Sequence, residues 1–229
     1  MNTPITLISS MATRQLLAEL AAQYRQVSPQ RIEIESVGGV DAAKRVRAGE
    51  PFDAVVLAAN VIQELIDAGK IDAGSRVDLV RSGVAIAVRE GAARIDIGSE
   101  EAVRRAVASA RSISYSTGPS GVHLVRLFER WGMAESIRER IVQAPPGVPV
   151  GSLVAQGQVE LGFQQLSELI HVPGIQVLGP LPPDIQTVTT FTAGVTVASA
   201  RAHAAREFLE FLASPAARAS KLKHGMEAA

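Results

Sequence analysis

The sequence ISYSTGPSGVHLVRLFERW, residues 113–131, runs from an apolar strand through a loop of small polar residues into an amphipathic helix. Apolar residues at helical spacing predict that this helix covers residues 122–131. Such a loop presents hydroxyls and free backbone N–H groups at a helix start, where the helix dipole favours negative charge. The lysine that a P-loop requires is missing. The stretch therefore predicts an α/β unit that can bind an anion other than a nucleotide phosphate.

Two further strand-to-helix junctions have the same small, neutral character. Each has an ordinary explanation, because serine is a favoured helix cap and glycine suits a turn. Three such junctions in one chain nevertheless predict donors that converge on one small anion. The candidate ligand-binding residues at the three junctions are Ser9, Ser10, Met11, Gly38, Gly39, Val40, Ser116, Thr117, Ser120 and Gly121.

The composition excludes several classes of function. The 229 residues carry 23 basic and 23 acidic side chains, so no field strong enough to gather nucleic acid is expected. Cysteine is absent, which removes thiol nucleophiles and thiolate metal sites. The four histidines are scattered without metal-ligand spacing. We therefore predict no metal and no cofactor.

The order of elements predicts an α/β fold, because strand and helix patterns alternate along the chain. One large domain is possible, but two long β segments, 80–88 and 187–198, favour two lobes joined by two crossover strands. Each lobe is predicted to be a mixed, mostly parallel sheet flanked by helices. Residues 1–89 and 186–229 form lobe I in this prediction, and 90–185 form lobe II, with the ligand cleft between them.

Several short motifs occur in the same order as in a known protein family. They include the junction at residues 38–44, the apolar run at 52–56, and the segments 119–122, 159–163 and 179–182. Together they resemble the molybdate-binding proteins, which are substrate-binding components of ABC transporters with the type II periplasmic-binding-protein fold. The resemblance covers nearly the whole chain in the right order.

The resemblance implies that neutral hydroxyl and backbone N–H donors hold a dehydrated oxyanion between two lobes. Carried over by position, the fourth loop contributes Val148, and a family tyrosine falls near Gln165. A family serine falls on Gly38 or Gly39. Because hydroxyls are lost at these positions, a small carboxylate is as much expected as molybdate. A related class with a similar fold looks like a second possibility for this chain. This class is aconitate isomerase, which moves a double bond in a tricarboxylate.

The remaining candidates are charged or amide side chains. Gln164 and Gln165 follow an apolar strand, and Arg81 lies in the first crossover, where it can pair with a ligand carboxylate or with a surface acid. If the chain is an enzyme, proton transfer falls to titratable residues near the junctions. These are His123, Lys44 and Asp41, none of which forms a recognisable triad.

The expected partners follow from these readings. They are a small anionic ligand and, for a binding protein, an ABC permease, with no nucleic acid, no membrane insertion and a monomeric chain. The start of the sequence lacks the pattern of an export signal, which predicts a cytoplasmic protein as written and a periplasmic one if a signal was removed. A cytoplasmic ligand sensor is a further alternative.

Overall fold

The computed structural model describes residues 3–145 and 147–229, which divide into two compact units. Unit 1 contains the described residues up to Arg81 together with Thr190–Ala229, and unit 2 is Ser82–Thr189. The sequence predicted that lobe II covers residues 90–185. Unit 2 therefore begins eight residues earlier and ends four residues later than this prediction.

Strands and helices alternate along most of the described chain. The strands are β1 (Ile5–Ser10), β2 (Ile32–Val37), β3 (Ala54–Ala58), β4 (Val77–Arg89), β5 (Ile113–Tyr115), β6 (Leu161–Gln165), β7 (Ile175–Pro180), β8 (Val188–Val195) and β9 (Glu227–Ala228). The helices are α1 (Arg14–Val27), α2 (Gly39–Ala48), α3 (Ala59–Asp67), α4 (Glu100–Ser109), α5 (Pro119–Arg130), α6 (Ala134–Ile137), α7 (Val150–Ala155), α8 (Leu166–Leu169), α9 (Ala202–Ala213) and α10 (Arg218–Lys223). None of these helices is long and apolar enough to cross a membrane.

Unit 1 is built on the parallel strands β2, β1 and β3, with β8 antiparallel to β3. β1 is apolar on both faces because helices cover both. Leu7 faces a core shared with α1 and α9, whereas its neighbour Ile8 faces a second core beneath α2 and α3. The carboxyl ends of the three parallel strands lie at one edge of the sheet, so the loops that follow β1 and β2 lie side by side.

Unit 2 is built on a mixed sheet. β5 and β6 are parallel, with Tyr115 opposite Phe163, whereas β4 runs antiparallel to both β6 and β7. The parallel part of this sheet is therefore smaller than the alternation of strands and helices predicted. α5 packs on one face through Phe128, whose ring lies 6.0 Å from Tyr115 and 6.3 Å from Phe163.

The helix after β5 begins earlier than predicted. It starts at Pro119 rather than at residue 122, so Ser120 and Gly121 belong to its first turn. Proline suits this position because its missing N–H has no partner in the first turn of a helix. A Cβ on Gly121 would lie 1.6 Å from the carbonyl oxygen of Ser116. Only glycine therefore allows the strand end to fold back onto the helix.

Candidate functional site

The first junction, at the end of β1, uses its two serines differently. Ser9 is fully buried, and its hydroxyl lies 2.8 Å from that of Ser36 on the neighbouring strand β2. Ser10 caps a short 3-10 turn that begins at Met11, and its hydroxyl accepts from the N–H of Ala12 at 3.3 Å. Ser9 thus joins two strands, whereas Ser10 lies at the edge of the sheet.

The second junction lies directly beside the first. Gly38 caps α2, and no side chain accepts a hydrogen bond from the first turn of this helix. A Cβ on Gly39 would lie 4.0 Å from the hydroxyl oxygen of Ser10, so the two junctions of unit 1 meet there. Val40 follows with 55% of its surface exposed. A carboxylate oxygen of Asp41 lies 3.6 Å from the Cβ position of Gly38, so this helix start also has an acid of its own.

The third junction, in unit 2, combines a hydroxyl pair with an uncapped helix. The hydroxyls of Ser116 and Ser120 lie 3.0 Å apart, and Ser120 is 1% exposed. Gly118 is the N-cap residue of α5, and no side chain accepts from the first turn. Thr117 is exposed. Ser120 lies inside the first turn and pairs with Ser116, so it is not the cap of this helix.

The predicted donor of the fourth loop is engaged within the chain. The N–H of Val148 donates to the carbonyl oxygen of Pro145 at 3.0 Å, in the turn that precedes α7. Gln164, which is 3% exposed, bridges two elements of unit 2. Its Oε1 accepts from the N–H of Gly151 at 3.4 Å, and its Nε2 donates to Glu168 at 2.8 Å.

Gln165, at the position of the family tyrosine, is also fully engaged. It is 2% exposed and is the last residue of β6 rather than a residue that follows the strand. With its amide oriented to satisfy every neighbour, Nε2 donates to the carbonyl oxygen of Ser82 at 3.0 Å and Oε1 accepts from Thr189 Oγ1 at 2.9 Å. Gln165 thus ties β6 to β4 and β8 within unit 2.

Glu168 is a titratable residue that the sequence reasoning missed. It lies in the first turn of α8, partly exposed. Burial raises the pKa of its carboxyl to about 7, although the hydrogen bond from Gln164 acts to lower that pKa. The available signal was in the sequence. Gln164 and Glu168 are four residues apart at the end of an apolar strand, a spacing at which their side chains can form a hydrogen bond.

The other titratable candidates have partners or lie on exposed surfaces. His123 Nε2 lies 2.9 Å from the carbonyl oxygen of Ile185, which makes this nitrogen the protonated one. Lys44 and Asp41 are exposed on α2. The guanidinium of Arg81 donates to the carbonyl oxygen of Ala228 on β9, at 3.2 Å. The catalytic assignment of His123, Lys44 and Asp41 therefore stays a prediction.

Metal binding has no evident location in the described residues. Within 3–145 and 147–229, no three His, Asp or Glu side chains are grouped so that they could hold a metal ion.

Comparison with known proteins identifies the family. The model of the bacterial extracellular solute-binding proteins matches residues 5–227. The chain belongs to this family. Aconitate isomerase from Pseudomonas sp is 36% identical over 218 residues, which cover 93% of this chain and 83% of that protein.

Solved structures of periplasmic binding proteins are similar to this chain over almost their full length. The periplasmic molybdate-binding protein of Azotobacter vinelandii superposes with a TM-score of 0.82 at 20% identity, covering 97% of this chain and 98% of that one. The tungstate-binding protein TupA of Desulfovibrio alaskensis G20 gives a TM-score of 0.70 at 16% identity, with 99% of both chains covered. The predicted resemblance and the two-lobed α/β fold of periplasmic binding proteins are confirmed.

Proposed function

We propose that this solute-binding protein binds a small anion through hydroxyl and backbone N–H donors at the start of a helix. The observation that carries the proposal is that α2 and α5 both begin without a side-chain cap, next to hydroxyls. Ser10 lies beside Gly39 in unit 1, and Ser116 lies beside Ser120 in unit 2. N–H groups in an uncapped first turn lack intrahelical partners, and an anion can accept from them.

We propose a small carboxylate, with tricarboxylates foremost, as the class of ligand. A dehydrated tetrahedral oxyanion needs a fixed donor for every hydrogen bond to water that it loses. Two predicted donors, the Val148 N–H and the Gln165 amide, have protein partners instead. The relative with 36% identity is named for its action on aconitate, a tricarboxylate. The engaged donors count against a tetrahedral oxyanion bound as the resemblance implies, and the relative supports a tricarboxylate.

The same binding site can serve two functions. The family description favours delivery of the ligand to an ABC permease on the outer side of the membrane. The aconitate isomerase relative favours a second function, the isomerisation of a tricarboxylate. In that reaction a proton leaves one carbon and another returns two carbons away, so a group that can both accept and donate a proton is needed.

Calorimetry with a panel of anions tests the proposal. Citrate, cis-aconitate and trans-aconitate are expected to bind, and molybdate, tungstate and sulfate to bind more weakly or not at all. Absence of binding by every member would refute the anion site. Preference for molybdate would leave the anion site standing and refute the carboxylate class.

The substitution Gly39→Ala tests the location of the site. The added methyl lies no closer than 4.0 Å to protein atoms, and alanine favours helix, so the thermal midpoint should not fall. It lies in the path of a ligand at the start of α2, so affinity should fall about tenfold or more. Gly74→Ala is the matched control, because its methyl meets only a side chain of Asp72, at 3.5 Å. Equal affinities in the two variants would place the ligand elsewhere.

The two functions are separated by a direct assay. Purified protein is incubated with cis-aconitate, and the trans isomer is measured by chromatography. Conversion above the uncatalysed background supports the isomerase. Binding without conversion supports ligand delivery and removes the enzyme.

A further inference from the structure

Glu168 lies at the edge of unit 2 where the candidate donors of that unit collect. β5 and β6 are parallel, so their carboxyl ends share one edge of the sheet. The loop from Ser116 to Gly121 follows β5, and Glu168 lies three residues beyond the end of β6. The first turn of α7 reaches the same edge, because the N–H of Gly151 bonds to Gln164, which in turn bonds to Glu168.

The surroundings of this carboxyl are polar but neutral. Glu168 Oε1 accepts from the amide of Gln164 at 2.8 Å, and within the described chain no Lys, Arg or His side chain forms an ion pair with it. The adjacent Ser167 hydroxyl is buried and has no hydrogen-bond partner. Among the described residues, every other carboxyl whose pKa is shifted has a lowered pKa, because an N–H or O–H group or a cation bonds to it.

We propose that Glu168 is the catalytic residue that moves the proton between the two ends of a bound tricarboxylate; this inference rests on the isomerase function proposed above. Ionised Glu168 takes a proton from the methylene carbon of propene-1,2,3-tricarboxylate, breaking a C–H bond. The electron pair of that bond forms a new double bond, and the old one shifts its electrons to the far carbon. That carbon receives the proton back from the Glu168 carboxyl. Nothing is oxidised or reduced, and no second reactant is consumed.

Two properties fit Glu168 to this role better than the candidates named from the sequence. A pKa of about 7 keeps both its ionised and its protonated forms populated at neutral pH, as a group that alternates between base and acid requires. It also lies at the sheet edge that the loop after β5 shares, whereas the Nε2 of His123 is held by the Ile185 carbonyl.

The substitution Glu168→Gln tests the inference. Glutamine has the same shape and can still accept from Gln164, so the fold and the affinity for trans-aconitate should be kept. The isomerisation rate should fall at least about 100-fold, the usual contribution of a positioned general base. Exchange of the methylene hydrogens of the substrate in D₂O, followed by NMR, should fall in parallel. Glu160→Gln is the matched control, because Glu160 pairs with Arg111 at the surface of the same unit.

Each outcome decides the matter. Isomerisation by Glu168→Gln at the wild-type rate overturns the role of Glu168 and leaves the isomerase standing. Loss of affinity together with a lowered thermal midpoint assigns Glu168 a structural role and also overturns it. Wild-type protein that binds trans-aconitate without isomerisation or hydrogen exchange refutes the isomerase itself. Restoration of activity to Glu168→Ala by added formate supports the inference, because formate supplies the missing carboxylate.

Discussion

Gly121→Ala should disrupt the third junction more than any other single methyl added there. The new Cβ would lie 1.6 Å from the carbonyl oxygen of Ser116, 2.8 Å from its carbonyl carbon and 3.2 Å from the ring of Tyr115. Real Cβ contacts stay above 3.0 Å, so the strand end and the helix must separate by about 1.4 Å. The obstructing atoms are backbone atoms, which no rotamer change can move aside.

The expected loss of stability follows from this displacement. An extra methyl in a packed interior costs about 1 to 3 kcal/mol, and a clash with backbone belongs at the upper end, about 3 kcal/mol. For a chain of this length that loss lowers the thermal midpoint by about 6 to 12 °C. Urea unfolding followed by the fluorescence of Trp131, the single tryptophan, reports on unit 2 directly.

Gly118→Ala provides the matched control for this measurement. A Cβ there would lie 3.6 Å from the hydroxyl of Ser116, an ordinary contact, and Gly118 has a negative φ of −78° that alanine can adopt. Its cost is limited to a weaker helix cap, about 1 kcal/mol or less. Equal urea midpoints for the two variants would refute the close approach of Ser116 to the helix.

Two further predictions concern unit 1. Burial alone would raise the pKa of Asp53, but its hydrogen bonds outweigh burial and lower that pKa, with Arg201 among the donors. Asp53→Asn should therefore reduce the free energy of unfolding by about 3 kcal/mol in urea titrations. The control Asp184→Asn, at an exposed residue, should leave it unchanged. Identical urea midpoints for the two variants would contradict the buried ion pair. The hydrogen bond from Lys223 is the largest cause that lowers the pKa of Glu19 to about 2, so the stabilisation by Glu19 is complete above pH 4.5 and is lost as the pH falls towards 2. Glu19→Gln should cost about 1 kcal/mol at pH 7 and progressively less as the pH falls through 2, and a deficit that does not change with pH in thermal melts would count against this linkage.

Much of the fold was predictable because local patterns agreed with the packing. The alternating residues 32–37 form β2, the apolar run at 52–56 overlaps β3, and Gly49 ends α2 in the left-handed conformation, as a C-cap glycine does. Whether neighbouring strands run parallel or antiparallel was less predictable. β4 is apolar along residues 84–88, as a parallel central strand would be, yet both of its neighbours in unit 2 run antiparallel. Burial on two faces accounts for the apolar run without fixing strand direction.

The loops that hold the candidate residues were predictable, whereas the partners of individual atoms were less so. Sequence reasoning predicted a helix after β2 and after β5, and α2 and α5 lie there, beginning two and three residues earlier than predicted. It could not tell that Ser9 bonds to Ser36 or that the Val148 N–H bonds to Pro145, because these partners depend on strand register and on the turn. Hydroxyl and amide groups choose between protein and ligand through small differences in geometry, which composition does not encode.

The hydrogen bonds of Gln165 explain why the class of ligand is harder to predict than the fold. A tyrosine at the end of β6 reaches out with one hydroxyl, whereas a glutamine amide has two donors and an acceptor that must be satisfied once the residue is buried. In this chain the neighbours that satisfy them are Ser82, Gly83 and Thr189, at the ends of unit 2. The resemblance implies a ligand donor at this position, and in this chain the glutamine amide joins neighbouring strands there. A tetrahedral oxyanion bound as the resemblance implies needs a donor at this position, so the engagement of Gln165 supports the proposal of a different ligand class.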